Sequence, residues 1–219
     1  MAEPYVLYTY WRSSCSHRVR IGLGFKKVAW TSVFVNLLEG AQAAPGYREK
    51  NPTGYVPALR IDDKNTLVES VAILEYLEEV HPTPALLPRE ALDRARVRAL
   101  VEMIGSGIQP LQNLNVLRRV GGEDRDAQVA FARHYNERGL AAVEAALARF
   151  EADGVRGPFA YGSAFGMADV LLVPQVAAAR RFGVDVSSFE RVSRAESAAS
   201  ALEFVKAAAP DAQPDAKPA

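Results

Sequence analysis

The chain has 219 residues, of which 49% are hydrophobic and 24% charged, as is typical of a globular protein with one large or two small domains. Because 26 basic side chains balance 26 acidic ones, no global field exists to collect nucleic acid or anionic membranes. One cysteine excludes an intrachain disulfide, and three dispersed histidines give no metal-ligand spacing. With no bilayer-spanning apolar run and no signal-peptide pattern, we expect a metal-free, soluble, cytoplasmic protein.

The first 81 residues alternate strand-like and helix-like segments. Runs of β-branched and aromatic residues predict the strands, and apolar residues four positions apart predict the helices. The predicted order is β-α-β-α-β-β-α, with strands at 6–11, 30–35, 58–61 and 66–68, helices at 16–27 and 70–81, and a loop or short helix within 37–50. This order is compatible with a small mixed sheet covered by helices.

The signal changes after a proline-spaced linker at 82–88, which is stiff because each proline ring fixes φ. Beyond it we find helical periodicity and no convincing strand pattern. The domains predicted are therefore an α/β domain over 1–81 and an all-α domain over 89–208, followed by a disordered tail over 209–219. The clearest helices are at 95–104, 128–150, 168–181 and 195–208.

The most informative segment runs from Arg12 to Arg20, where the first strand gives way to the first helix. A helix N-terminus carries unpaired N–H groups and the positive end of the dipole, so hydroxyl and thiol groups there can stabilise an anion, above all a thiolate. A serine run is equally a good N-cap. Since Arg18 stands three residues after Cys15, dithiol exchange is excluded and only a monothiol role remains open.

Two later motifs also suit ligand binding. A cis bond between Val56 and Pro57 would turn the Val56 backbone outward to pair with a bound peptide, although only about 5–6% of such bonds are cis. Ser70 opens the next helix, where its hydroxyl and the N–H groups can take a carboxylate, while Glu69 can hold an ammonium. Taken singly, an N-cap with a solvated neighbour explains this pair better.

Together these motifs resemble those of cytosolic glutathione transferases, and the run Ser13-Ser14-Cys15-Ser16-x-Arg18-Val19-Arg20 resembles the zeta class. The likeness extends to about Pro210 and includes the segments 73–79, 82–88, 108–114 and 167–176. It implies a thioredoxin-like N-terminal domain, an all-α C-terminal domain, glutathione as cofactor and a homodimer. The activity it implies is the cis–trans isomerisation of maleylacetoacetate, a diketo acid of tyrosine and phenylalanine catabolism.

The resemblance also implies roles for particular residues. The thiolate is stabilised by one or more of Ser13, Ser14 and Cys15. Glutathione is held by Ser13, Ser14, Cys15, Ser16, His17, Arg18, Gln42, Val56, Glu69 and Ser70, with Gln109, Asn113, Leu114 and Asn115 contributed by the helical domain. Arg12 and Arg181 are the candidates for receiving the substrate carboxylate.

Two departures from the family pattern and three alternative functions accompany this interpretation. The stretch between Asn36 and Asn51 is shorter than in many zeta-class members. Gly166 stands where the family has the Ser or Thr of a capping box that ends at Asp169, which weakens a folding device by a few tenths of a kcal/mol. A maleylpyruvate isomerase would share the site, but Gln109 and Asn115 favour maleylacetoacetate. A transferase or dehalogenase for α-halo acids would use the same thiolate. A non-enzymatic binding protein predicts a degraded sulfur site, whereas the run 13–18 is intact.

Overall fold

The computed structural model describes residues 4–217, which fold into two compact units. One unit runs up to Ala85 and resumes at Leu202, and the other spans Leu86–Ala201. No helix among residues 4–217 is long and apolar enough to cross a membrane. The all-α domain was predicted to extend to residue 208, whereas the chain from Leu202 onwards belongs to the first unit.

The first unit is built on a four-stranded mixed sheet in the order β2-β1-β3-β4. Its elements are β1 (Tyr5–Thr9), α1 (Ser14–Lys26), β2 (Trp30–Phe34), α2 (Pro45–Arg48), β3 (Ala58–Arg60), β4 (Thr66–Val68) and α3 (Ser70–Val80). β1 pairs in parallel with β2 and antiparallel with β3, and β3 forms a hairpin with β4. The predicted order β-α-β-α-β-β-α is therefore confirmed.

The core of this unit lies between the sheet and the helices α1 and α3. Its fully buried side chains are Leu7, Val19, Leu23, Leu59, Ile73 and Leu77. On α1, Val19 and Leu23 lie four residues apart, and on α3 so do Ile73 and Leu77. This is the spacing from which both helices were predicted. This packing fixes the N-termini of α1 and α3 relative to the ends of β1 and β4.

The second unit is all-helical, as predicted. It contains α4 (Ala91–Gly105), α5 (Leu114–Gly121), α6 (Arg125–Ala152), α7 (Met167–Arg181) and α8 (Glu190–Ser200), with 3-10 turns at Gln109–Gln112 and Val186–Ser188. The helix predicted over 195–208 is wrong as a single element. α8 ends at Ser200, and α9 (Glu203–Ala208) begins after Leu202 as part of the first unit.

The start of α7 explains the glycine that departs from the family pattern. The Asp169 carboxylate accepts hydrogen bonds from the N–H groups of Gly166 at 2.9 Å and Ala160 at 2.8 Å. A Cβ atom at position 166 would approach the carbonyl oxygen of Leu86 to 3.0 Å, so a larger residue would crowd that carbonyl. Burial raises the pKa of Asp169 to about 7, against the opposing effect of these N–H donors.

The tail predicted to be disordered follows a defined path as far as the structure describes it. A 3-10 turn spans Pro210–Ala212, and the Asp215 carboxylate accepts a hydrogen bond from the N–H of Trp11 at 2.9 Å. The prediction of disorder over 209–217 is therefore wrong, because the segment finds a partner in the first unit that its composition does not reveal. Residues 218–219 of the predicted tail lie outside the described residues.

Candidate active site

The N-terminus of α1 supports both interpretations of the serine run, on different residues. Ser13 is the N-cap, and its Oγ accepts a hydrogen bond from the N–H of Ser16 at 3.1 Å. Ser14 and Cys15 begin the helix with partly exposed side chains. Because the first turn of α1 contains no acidic residue, the positive end of the helix is not neutralised by its own side chains. This end of α1 therefore suits an anion.

Ser16 and His17, which follow in the run, are buried in the unit. His17 is only 3% exposed, and burial together with the charge of Arg20 lowers the pKa of His17 to about 3. The imidazole is therefore neutral at physiological pH. These two side chains pack inside the unit, whereas Ser14 and Cys15 reach its surface.

Arg18 connects the first motif to the last one. Its guanidinium is buried, and Nη1 donates a hydrogen bond to Ser70 Oγ at 3.2 Å. This bond brings a positive charge to the N-terminus of α3, which already attracts anions through its N–H groups. Sequence reasoning placed Arg18 beside Cys15 and missed this contact, since nothing local signals a partner 52 residues away.

Glu69, the residue before α3, has an unusual backbone conformation. Its φ is 67° and its ψ is 117°, values that a residue with a side chain rarely adopts. Such a conformation costs about 1–3 kcal/mol and is common at ligand-binding sites. The Glu69 side chain is exposed next to the buried Ser70. Both residues of this predicted motif therefore lie at the same helix end, with the carboxylate accessible.

The loop before β3 offers backbone groups for pairing. The Val56–Pro57 peptide bond is cis, the arrangement that the sequence analysis considered for this pair. Neither peptide group of Val56 forms a hydrogen bond within residues 4–217. Gln42 lies in the 3-10 turn Ala41–Ala43, and its buried Oε1 has no hydrogen-bond partner in the described part of the chain. A buried oxygen of this kind calls for an explanation, and a bound donor is one.

The two arginines assigned to the substrate carboxylate lie in different units. Arg12 is exposed in the first unit, with its guanidinium carbon 5.5 Å from the centre of the Trp11 ring. Arg181 ends α7 in the second unit, 5.2 Å from the centre of the Phe182 ring. The adjacent Arg180 forms a two-pronged ion pair with Glu196 at 3.0 and 2.9 Å.

The remaining predicted site residues belong to one segment of the second unit. Gln109 begins a 3-10 turn, Asn113 precedes α5, and Leu114 and Asn115 form the exposed first turn of α5. The sequence analysis missed what holds this segment: the side chain of Gln112 is buried in a network of three amides. The signal was available, because Gln175 is the one polar residue of the otherwise apolar run 170–176.

In that network Asn136 Nδ2 donates to Gln112 Oε1 at 2.9 Å, and Gln175 Nε2 donates to Gln112 Oε1 at 3.1 Å. Gln175 Nε2 also donates to Asn136 Oδ1 at 2.7 Å. Three residues after Asn136, on the same face of α6, Gly139 leaves room for Ile108, whose Cγ1 would lie 2.3 Å from a Cβ atom there. The segment that carries Gln109 is therefore held at both of its ends.

Comparison with known proteins extends these observations. A family model described as the N-terminal domain of glutathione S-transferase matches residues 12–80. The maleylacetoacetate isomerase of Mus musculus is 44% identical over 212 residues, covering 96% of this chain and 94% of the mouse protein. The solved structure of a maleylacetoacetate isomerase from Anaeromyxobacter dehalogenans with bound GSH is 44% identical, with a TM-score of 0.88 over 99% of this chain and 100% of that one.

A third match is the holo structure of a bacterial maleyl pyruvate isomerase, described as a zeta-class glutathione S-transferase. It is 39% identical and has a TM-score of 0.91, covering 97% of this chain and all of that one. The chain therefore belongs to the glutathione S-transferase family and is an enzyme of its zeta class. The first unit is accordingly the thioredoxin-like domain of that fold.

The residues of the first unit fit glutathione, a tripeptide with two carboxylates, one ammonium and one thiol. The N-termini of α1 and α3 suit anionic groups, and Glu69 is an exposed carboxylate beside α3. The Val56 peptide groups and the buried Gln42 Oε1 lack hydrogen-bond partners within residues 4–217, so a bound peptide would satisfy them.

Proposed function

We propose that this enzyme is a glutathione-dependent isomerase that converts maleylacetoacetate into fumarylacetoacetate, in the catabolism of tyrosine and phenylalanine. The observation that carries the proposal is the N-terminus of α1, where Ser14 and Cys15 are partly exposed beside a capped helix end with no acidic residue in its first turn. Relatives that match nearly the whole chain bear this activity in their names.

The chemistry requires a soft nucleophile. When bound, glutathione supplies a thiolate that adds reversibly to the carbon–carbon double bond, which is single while it rotates and double again once the thiolate leaves. A free thiol has a pKa of about 8.5, and lowering it by about two units requires roughly 2.7 kcal/mol of preferential stabilisation. The N–H groups that open α1 and the hydroxyl of Ser14 provide it in this proposal.

Other residues hold the two partners in place. Ser70 and the N-terminus of α3 bind one carboxylate of glutathione, Glu69 binds its ammonium, and Val56 pairs with its backbone. Arg18, through its bond to Ser70, adds positive charge at the carboxylate. Arg12 and Arg181 receive the carboxylate of the substrate and stabilise the negative charge that develops near it.

Substitution of Ser14 tests the role of the helix end. Ser14→Ala is expected to lower kcat by about 100-fold while leaving the affinity for glutathione within a few-fold, because the lost donor acts on the thiolate. Steady-state kinetics and glutathione titration measure the two effects, with the exposed Ser106→Ala as control. Unchanged kcat would remove Ser14 from the mechanism and transfer its role to Ser13 or Cys15.

The substrate is tested by assaying maleylacetoacetate and maleylpyruvate in parallel, with and without glutathione, coupled to a hydrolase specific for the trans product. Glutathione-dependent turnover that favours maleylacetoacetate is expected. The maleyl pyruvate isomerase with a TM-score of 0.91 makes maleylpyruvate the second candidate, and preference for it would overturn the assignment. Absence of turnover of both would move the function to transfer or dehalogenation of α-halo acids.

We further propose that the enzyme is a cytoplasmic homodimer, as the resemblance to its family implies. Light scattering at micromolar concentration is expected to give twice the mass of one chain. A result equal to the mass of one chain would contradict the dimer.

A further inference from the structure

The end of the chain packs against the helix that carries the candidate sulfur site. The Phe204 ring of α9 lies 5.5 Å from the Phe25 ring of α1, and Gly24 lets the helices approach, since a Cβ atom there would lie 3.3 Å from Phe204 Cβ. Arg20 Nε donates a hydrogen bond to the carbonyl oxygen of Ala208 at 3.0 Å. These contacts direct the last described residues towards the loop between β1 and α1.

Within that loop, both peptide groups of Trp11 are held by charged side chains. Asp215 Oδ2 accepts a hydrogen bond from Trp11 N–H at 2.9 Å, and Arg20 Nη2 donates one to the Trp11 carbonyl at 3.0 Å. Arg20 Nη1 also reaches Thr9 Oγ1 at 3.1 Å. Arg20 is almost fully buried, and burial lowers its pKa to about 10 while the charge of Asp215 opposes that shift.

The same loop determines where the helix begins. Ser13 N–H donates a hydrogen bond to the carbonyl of Tyr10 at 3.1 Å, and Arg20 Nη1 lies 3.4 Å from that carbonyl. Ser14 follows the cap directly. A shift of the Trp11 peptide therefore moves the cap and the first N–H groups of α1, the groups placed to stabilise a thiolate.

We propose that Asp215 is a positioning residue, which together with Arg20 fixes the Trp11 peptide and so aligns the N-terminus of α1 with the thiol of bound glutathione. The inference rests on the proposed function for its catalytic consequence, although the hydrogen bond itself does not depend on it. The last residues of the chain thus form part of the scaffold of the sulfur site.

The test compares four variants of the enzyme. Asp215→Ala removes the acceptor, Asp215→Asn keeps an acceptor oxygen but removes the charge, and a chain ending at Gln213 removes the residue without touching α9. The matched control is Asp211→Ala, four residues earlier on the same segment with an exposed side chain. If Asp215→Ala fails to fold, the truncated chain and Asp215→Asn still test the proposal.

The first readout is hydrogen exchange of the protein without glutathione. In Asp215→Ala and the truncated chain, amide exchange over residues 11–14 is expected to accelerate by about tenfold or more, as the loss of a hydrogen bond to a charged group implies, with a smaller change in Asp215→Asn. Exchange over α3 is expected to stay unchanged, and Asp211→Ala is expected to match the wild type. Exchange over 11–14 that is equal in Asp215→Ala and Asp211→Ala would overturn the proposal.

The second readout is the ionisation of bound glutathione, followed by the ultraviolet absorbance of its thiolate against pH, together with kcat and the KM for glutathione. The apparent pKa of the bound thiol is expected to rise and kcat to fall by about tenfold, while KM changes less than threefold. Faster exchange with unchanged ionisation and kcat would make Asp215 purely structural and overturn its positioning role. A shifted thiol pKa in an enzyme that isomerises neither maleyl substrate would sustain the positioning role and refute the proposed function instead.

Discussion

The two units bury polar groups in different ways. The first unit buries charged side chains that bind backbone carbonyl groups: Arg20 holds the end of β1, and Lys26 holds the segment after α3. The second unit buries neutral amides that bind one another, centred on Gln112. A buried cation fixes several peptide groups at once, whereas the amide network fixes one side chain against two helices. We therefore expect the backbone of the first unit to be held more rigidly, with a greater loss of stability when a partner is removed.

The buried lysine of the first unit is expected to show the largest effect. Lys26 Nζ lies 2.5 Å from Glu78 Oε2 and 2.7 Å from the carbonyl oxygens of His81 and Pro84. Lys26→Met leaves the Glu78 carboxylate without this cation and two carbonyls without this donor, so unfolding should be easier by about 3–5 kcal/mol. Urea denaturation measures the change.

The control for this prediction is Lys206→Met, which removes an exposed ion pair with Glu203 and should cost less than about 1 kcal/mol. Comparable losses in the two variants would contradict the view that the first unit depends on its buried charge. A double variant, Lys26→Met with Glu78→Leu, should recover part of the stability, because it also removes the buried carboxylate that has lost this cation.

The two units are also expected to respond to pH in opposite directions. Burial lowers the pKa of His17 from 6.5 to about 3, so between those values the unfolded chain binds more protons than the folded one, and the first unit loses stability as pH falls. Burial raises the pKa of Asp169 from 3.8 to about 7, so there the folded chain binds more protons, and the second unit loses stability as pH rises. Each contribution is at most about 1.4 kcal/mol per pH unit.

Hydrogen exchange at several pH values, corrected for the intrinsic exchange rate, separates the two units. His17→Leu should flatten the dependence of the first unit, and Asp169→Asn that of the second. The expectation of opposite pH dependences would be refuted if both units lost stability in the same direction of pH change between pH 4 and 6.5 and neither variant changed the slope of stability against pH.

The first unit also shows where sequence reasoning succeeds and where it stops. Its strands and helices were predictable because Val19 and Leu23, or Ile73 and Leu77, record burial at the period of the element itself. The helices at the end of the chain were not predictable, since the run 195–208 is alanine-rich and contains no glycine or proline to mark the break between α8 and α9. That break reflects packing of α9 on α1, which is a tertiary effect.

In the candidate site, too, some residues could be recognised from the sequence and other contacts could not. Ser14, Cys15 and Ser70 were recognisable because helix N-termini have local signatures. The hydrogen bond that Trp11 N–H donates to Asp215 was not recognisable. It joins residues 204 positions apart and depends on a single carboxylate in a proline-rich tail. Contacts of that kind leave no periodicity and no spacing to detect.

The amide network of the second unit is expected to show the smallest effect. Asn136→Ala removes the donor to Gln112 and an acceptor from Gln175, so the helical unit should lose about 1–3 kcal/mol, with little dependence on pH because no charge is involved. The matched control is Glu137→Ala, the next residue on α6 with an exposed side chain, which should change stability by less than about 0.5 kcal/mol.

The same variant sharpens the comparison between the units. Since Gln112 ends the 3-10 turn that Gln109 begins, loosening the network should increase amide exchange over 109–115 without changing exchange over 11–14. A loss for Asn136→Ala as large as that for Lys26→Met would mean that neutral amides hold the second unit as tightly as buried charges hold the first. The contrast between the two units would then lie in their chemistry alone and not in how firmly each backbone is held.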